Sequence, residues 1–305
     1  MTTLGAKIGF IGLGAMGLPM AERIVNAGFE TFITVHRRRE PSEQLESLGA
    51  QVLGTPALVG QAADVVITML PADQELKQVV FGEHGLVEGF APGKILVDMT
   101  TASVMSLREV ENAIVQVGGR VLDAPVSGGT TGAARGTLTV IAGGDPGLLE
   151  ECRPLLSVVA TRIMHVGGTG QGKVVKMVNQ VMAALNLFSI GEAFSLGMSY
   201  GVSPEILYDV IKTSSGYSKM MDLKLPHFLL VGSFEPGFKM RLMKKDLDIA
   251  LESGRSKDVP LTLTSLIARD FAEAIENGNG EADYSLLAQV LANRAAVNFN
   301  QKKEN

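Results

Sequence analysis

Four short stretches of this chain carry residue types whose spacing could do chemistry. The first is Gly12-Leu13-Gly14-Ala15-Met16-Gly17, a G-x-G-x-x-G run between an apolar and an amphipathic segment. In such a loop the first glycine makes a tight turn, the second lets the backbone approach a pyrophosphate, and the third lets helix and strand pack closely. The following helix offers free N–H groups and the positive end of its dipole to phosphate. Glycines in strand-to-helix turns are often merely structural. Here the flanking patterns favour a dinucleotide site at Gly12, Leu13, Gly14, Ala15, Met16 and Gly17. The second stretch, His36-Arg37-Arg38-Arg39, follows the next apolar run. NAD enzymes usually hold the ribose 2′-OH there with an acid, which would repel a 2′-phosphate, whereas an arginine fork pairs with it. No acid appears until Glu40, so His36, Arg37 and Arg38 point to NADP(H), with NAD(H) less preferred. The ordinary alternative is a solvated basic loop, and Arg39 fits that best.

The third stretch reads DAPVSGG over 123–129. Ser127, Gly128 and Gly129 could offer a hydroxyl and consecutive N–H groups to a carboxylate, although alone the segment reads first as an ordinary loop. In the fourth, Lys176, Asn179 and Gln180 stand at i, i+3 and i+4, on one face of an otherwise apolar helical segment. A lysine there can be a surface residue that lays its stem along apolar neighbours, or a proton-transfer group. Lys173, one turn earlier, is a second lysine that could be taken for it.

The elements that must position these residues follow from periodicity. Short β-branched runs at 7–11, 32–36, 65–70, 95–99, 121–123 and 138–142 alternate with amphipathic segments at 16–27, 41–48, 73–80 and 103–117. Strands alternating with helices imply a mostly parallel sheet covered on both faces. With the glycine loop after the first strand, this is an α/β, Rossmann-type doubly wound domain. After Gly167-Gly168 the chain turns rich in Ala, Met and Leu, with helix starts near Ser203-Pro204, Phe238 and Pro260 and no convincing strand. We therefore expect a cofactor domain over 1–167 and an all-helical domain over 168–305.

Composition removes several function classes. The 305 residues suit two domains, 46% are hydrophobic, and the net charge is −5. There is no global field to gather a nucleic acid, and Trp is absent, so base-stacking platforms are disfavoured. A single cysteine, Cys152, rules out an intrachain disulfide and suits a reducing cytoplasm. The histidines at 36, 84, 165 and 227 lack metal-ligand spacing, so no metal is expected. The N-terminus does not read as a signal peptide. No apolar run reads as approaching the roughly 18–20 residues a membrane helix needs.

Four segments together, GFIGLGAMGLPMAERIVNAG, DAPVSGGTTGAARGTLTVIAGG, GTGQGKVVKMVNQ and KKDLDIAL, resemble in order and spacing the signature regions of the β-hydroxyacid dehydrogenases. That family includes 3-hydroxyisobutyrate dehydrogenase, tartronate semialdehyde reductase and 2-(hydroxymethyl)glutarate dehydrogenase. The resemblance runs through nearly the whole chain. It implies an active site in the cleft between domains, a small carboxylate substrate, and a homodimer or homotetramer built on the helical domain. It makes Lys176 the catalytic acid/base, Asn179 its hydrogen-bonding neighbour, and Ser127, Gly128 and Gly129 the substrate loop. It also places Thr101 against cofactor or substrate, Met69, Leu70 and Pro71 along the cofactor, and Lys245 against the cofactor from the helical domain. Tyr217 and Ser218 would help to select the substrate. Asp246 reads as structural, and Lys239 and Arg241 as surface groups or partners of a distal carboxylate. A lysine in the catalytic role needs its pKa drawn towards neutrality by burial and by the cofactor's positive charge.

Two other readings compete. An imine reductase of related fold usually replaces the lysine by Asp, Tyr or another group, so Lys176 speaks against it. A noncatalytic NADP-binding module would be expected to lose the lysine or the Ser-Gly-Gly loop.

Overall fold

A computed structural model describes residues 5–35 and 38–300. The chain divides by its contacts into two compact units, Met1–Lys176 and Met177–Asn305.

The first unit is built on one sheet. Strands β1 (Ile8–Ile11), β2 (Thr31–Thr34), β3 (Gln51–Leu53), β4 (Val65–Thr68), β5 (Ile95–Asp98) and β6 (Arg120–Asp123) pair in the order 3-2-1-4-5-6, all parallel. This is the doubly wound order whose carboxyl-end crevice takes ligands. Beyond β6 the sheet continues through β8 (Leu138–Gly143), which runs antiparallel to β6 and to the short β7 (Val126–Ser127). Strand β9 (Ala160–Gly167) then lies parallel to β8.

Side chains alternate across a strand, and the core divides accordingly. Ile8, Phe10, Val65, Ile67, Ile95 and Val97 face one side, with Met20 and Ile24 of α1 (Gly17–Asn26), Leu45 of α2 (Glu40–Ser47) and Leu149, Cys152 and Leu156 of α8 (Pro146–Val159). Ile11, Val66 and Leu96 face the other, with Val59 of α3 (Pro56–Ala62), Leu76 and Val80 of α4 (Asp73–Phe81) and Leu107, Val110 and Ile114 of α6 (Val104–Gln116). The short helices α5 (Leu86–Gly89) and α7 (Gly129–Arg135) complete this unit, together with the opening turns of the next helix.

That helix, α9 (Gln171–Ser199, 29 residues), is the spine of the second unit. Ala184, Leu187, Ile190, Phe194 and Met198 form its buried stripe. In the same core lie Leu229, Met243 and Leu247, the last two from α12 (Met240–Ser256), with Phe271 of α13 (Thr262–Ala274) and Leu287 and Ala288 of α14 (Leu286–Arg294). Leu229 itself ends a π-helical turn, Leu225–Leu229, that continues α11 (Lys219–Lys224). Gly191 permits this closeness, because a Cβ there would stand 2.8 Å from Leu291 and 3.0 Å from Ala288. Helix α10 (Pro204–Ile211) starts on the Ser203 cap, as its Ser-Pro signal predicts. Among the described residues this unit has no strand, only an isolated bridge between Lys239 and Asp283.

One expectation needs correcting. By length and composition α9 could cross a membrane, and it is the one helix among the described residues that could. The sequence pattern already reads as one long helix from Gly172 to about Gly201, but polar residues interrupt every unbroken apolar run within it. Part of its apolar content is the core stripe that it contributes to the second unit, while Val178, Met182 and Leu196 are exposed.

Candidate active site

In the first unit, the glycine loop leaves β1 at the carboxyl edge of the parallel strands. Gly12 has φ +108°, and a Cβ there would lie 2.2 Å from the Met69 carbonyl oxygen. At Gly17 a Cβ would fall 1.8 Å from the Gly12 carbonyl oxygen, so both positions exclude a side chain. Gly14 is different: it is exposed, and nothing lies within 4 Å of where its Cβ would point. The turn is thus closed on two sides and open on the third, which fits the backbone approach that a pyrophosphate requires. Leu13 and Met16 pack against the core, Ala15 is exposed, and Met16 is the residue before α1. Met69 and Leu70 adjoin Gly12, and Pro71 follows them on the surface. His36 and Arg37 lie outside the described residues, and Arg38 is exposed before α2.

The next strand ends carry a buried polar network. The Thr68 hydroxyl donates to Asp98 Oδ1 at 2.8 Å, and the Thr100 N–H donates to the same oxygen at 3.1 Å. Leu70 N–H donates to the Thr100 hydroxyl at 3.2 Å, which ties the residues after β4 to those after β5. Thr101 follows at an intermediate depth. Farther along, Ser127 ends β7, and Gly128 (φ +138°) and Gly129 (φ +64°) turn the chain into α7. Both glycines are exposed, and space is open beyond Gly129, so the loop can present backbone N–H groups to an anion.

Lys176 is half-buried in the second turn of α9. The turn before it holds the residue that sequence reasoning treated as a distraction. Lys173 is buried, and its Nζ lies 3.0 Å from Asp98 Oδ2, 3.2 Å from Asp123 Oδ1 and 3.1 Å from the Asp98 carbonyl oxygen. Asp123 Oδ2 in turn accepts the N–H groups of Gly170 and Lys173, at 3.0 and 3.1 Å. Burial works against the Lys173 ammonium, but the two carboxylates outweigh it and hold the group above its ordinary pKa. Burial also raises the Asp123 carboxyl, with Lys173 opposing. The signal for this cluster was two acids at adjacent strand ends, Asp98 and Asp123. Their partner could not be read from spacing, because it lies 50 to 75 residues downstream.

In the second unit, Asn179 Nδ2 donates to Gln180 Oε1 at 3.1 Å, and Gln180 Nε2 donates to Asp246 Oδ2 at 2.6 Å. Asp246 Oδ1 pairs with Lys245 Nζ at 2.8 Å. Asp246 is buried, so the residue read as structural links Lys245 to the amide pair of α9. Tyr217 donates to Asp222, which also accepts from Tyr208 at 2.8 Å. These hydrogen bonds raise the Tyr217 phenol above its ordinary range and lower the Asp222 carboxyl. Ser218 precedes α11 with its hydroxyl outside any capping bond. Lys239 and Arg241 both pair with Glu281 on the surface.

Comparison with known proteins extends this picture. Residues 7–167 match the family described as the NAD binding domain of 6-phosphogluconate dehydrogenase. Residues 170–291 match that described as the NAD-binding region of NADP-dependent 3-hydroxyisobutyrate dehydrogenase. The chain is 37% identical over 291 residues to 2-(hydroxymethyl)glutarate dehydrogenase of Eubacterium barkeri, covering 95% of this chain and 96% of that protein. It is 34% identical over 285 residues to 2-hydroxy-3-oxopropionate reductase of Escherichia coli (strain K12), covering 93% and 97%. Among solved structures, 3-hydroxyisobutyrate dehydrogenase of Mycobacterium tuberculosis with L-serine superposes at a TM-score of 0.87 and 31% identity, covering 95% and 99%.

Proposed function

The chain belongs to the β-hydroxyacid dehydrogenase family of nicotinamide-dependent oxidoreductases, and from that premise we propose that it moves a hydride between NADP(H) and a small β-hydroxy acid or its semialdehyde, with Lys176 as general acid/base. The nicotinamide supplies or accepts the hydride when bound. In reduction the Lys176 ammonium donates a proton to the developing alkoxide; in oxidation the neutral amine takes the hydroxyl proton. Asn179 holds the substrate or Lys176 by hydrogen bonds. The Ser127 hydroxyl and the N–H groups of Gly128 and Gly129 receive the substrate carboxylate. Thr101 contacts cofactor or substrate, Met69, Leu70 and Pro71 line the adenosine or nicotinamide ribose, and Lys245 reaches the cofactor. Tyr217 and Ser218 help to decide which substrate fits. In this reading residues 1–167 serve the cofactor, and residues 168–305 serve substrate and association.

The observation that carries the reading is the setting of Lys176. It is a half-buried amine one turn beyond a helix start that is fastened to the ends of β5 and β6, the sheet edge at which the glycine loop also opens. Arg37 and Arg38 favour NADP(H), which leans the physiological direction towards reduction. The candidate substrates are succinic, tartronate, methylmalonate and glutarate-type semialdehydes, and glyoxylate. The lone buried Cys152 suits the cytoplasm as the compartment.

The test is oxidation of NADPH and NADH against that panel, with Lys176→Ala and Arg37→Asp alongside. We expect Lys176→Ala to lower kcat by about 10³-fold while NADPH affinity stays within a few-fold. A retained rate would sink the assignment. Arg37→Asp should move preference towards NADH; an unchanged NADPH/NADH ratio would remove Arg37 from the cofactor site.

A further inference from the structure

We infer that Lys173 is a positioning residue, whose buried ammonium locks the first turn of α9 onto the ends of β5 and β6 and so fixes where Lys176 stands. The inference rests on the reading of Lys176 as the proton-transfer group.

Three observations carry it. First, the ammonium is enclosed by oxygen atoms. An ammonium has three donors, and Lys173 Nζ has three oxygens within 3.2 Å, two from Asp98 and one from Asp123, with the Lys173 side chain only 1% exposed. Second, both carboxylates have further work that ties the lock to the site. Asp123 caps the start of α9 through Gly170 and Lys173, while Asp98 shapes the turn that leads into Thr101 through Thr68 and Thr100. Third, the helix start is pressed against the sheet with no slack. A Cβ on Gly172 would stand 2.6 Å from the Ile141 carbonyl oxygen and 2.8 Å from Asp123 Oδ2, and one on Gly143 would stand 2.8 Å from Gly172 N.

A buried ion cluster of this kind is a poor way to gain stability, because desolvation offsets most of the attraction. An apolar side chain facing two neutral residues would hold the same space. What the cluster supplies is one allowed register. Lys173 and Lys176 are separated by i, i+3 on a rigid helix, so a displacement of one turn carries the other with it. Catalytic groups lose roughly 10²-fold for a misplacement of about 1 Å.

The experiment compares Lys173→Met and the charge-neutral double variant Lys173→Gln/Asp123→Asn with the parent enzyme and with Lys176→Ala. The double variant keeps hydrogen-bonding groups and the net charge of the cluster, with Asp98 still accepting from Thr68 and Thr100, so it remains informative if Lys173→Met does not fold. Two quantities are read: kcat and KM for NADPH-driven reduction of the best substrate of the panel, and amide hydrogen exchange over 170–176. The expected result is a kcat lowered by about 10- to 100-fold with KM for NADPH within threefold, together with faster exchange confined to that turn. A kcat within twofold of the parent in a folded variant overturns the proposal, and so does a lowered kcat with unchanged exchange. Lys176→Ala separates the two claims. If that variant keeps its turnover, the proton-transfer reading fails, whereas the exchange data still report whether Lys173 holds the turn.

Discussion

The three glycines of the β1–α1 loop make different demands, and substitution should separate them. Gly17→Ala puts a methyl 1.8 Å from a backbone oxygen with no flexible side chain to yield. It should cost at least about 3 kcal/mol, a fall of roughly 6–12 °C in the thermal midpoint. Gly14→Ala meets open space and should fold within about 1 kcal/mol of the parent. Under the proposed cofactor site its methyl would occupy the approach of the phosphates, so NADPH should bind about tenfold more weakly or worse. Calorimetry on both variants checks the pair; equal cofactor affinity for Gly14→Ala and the parent would refute the assignment. Cys152 gives a pH prediction. Burial pushes its thiol from 9.0 up to about 12. The native state therefore keeps a proton that the unfolded chain releases. The stabilisation is complete below the ordinary pKa and is lost as pH climbs towards the raised one. Between about pH 9 and about pH 11 the parent should lose roughly 2 kcal/mol more stability than Cys152→Ala does. Parallel urea curves as a function of pH would reject this.

Elements differ in how plainly they announce themselves. The central strands β1, β4 and β5 are short, mostly apolar runs buried on both faces, and their positions follow from the sequence. So do α1, α4 and α6, whose apolar faces repeat at the helical period. Helix α8 was hidden because Pro154 stands inside it, where a proline normally ends a helix. Strand β9 was hidden because it carries Arg162 and His165 and has only one buried residue, so it shows no buried alternation. Strand β3 and helices α3, α5 and α7 are too short for periodicity to register. In the candidate site, the glycine loop and the Lys176–Asn179 face were legible because their spacing is local. The Lys173 cluster and the Asp246 link were not, since they join residues far apart in the chain. A further element-scale device is Lys224 at the end of α11. Its Nζ lies 4.3 Å from the centres of both the Phe228 and Tyr284 rings, and it pairs with Asp283 at 2.8 Å. Asp283 also accepts from Phe238 N–H and Ser285 N–H, so it gathers three chain segments. Lys224→Met should cost about 3–5 kcal/mol by leaving a buried carboxylate uncompensated. Adding Asp283→Asn should restore part of that, as urea unfolding can measure; a double variant no more stable than the single one would contradict the account.

At the scale of the whole molecule, the proposed association of the helical residues can be tested on exposed apolar side chains. Val178, Met182 and Leu196 of α9, Ile206 and Val210 of α10 and Leu263 and Leu266 of α13 are all exposed. These residues are where association of the helical unit can be tested. We expect sedimentation to give a mass of a dimer or tetramer, and Met182→Glu with Leu196→Glu to lower it; a single-chain mass for the parent would refute this. A different consequence follows from the way α9 begins. Its cap is a carboxylate on β6, 47 residues earlier than the first amide that it receives. A helix ordinarily carries its own initiation signal within a few residues, whereas this one borrows it from a strand that a ribosome has already delivered. During refolding, the amides of 173–176 should therefore acquire protection in step with the sheet, and those of 184–198 with the helical bundle. One continuous helix would then be completed in two instalments, timed by different parts of the protein.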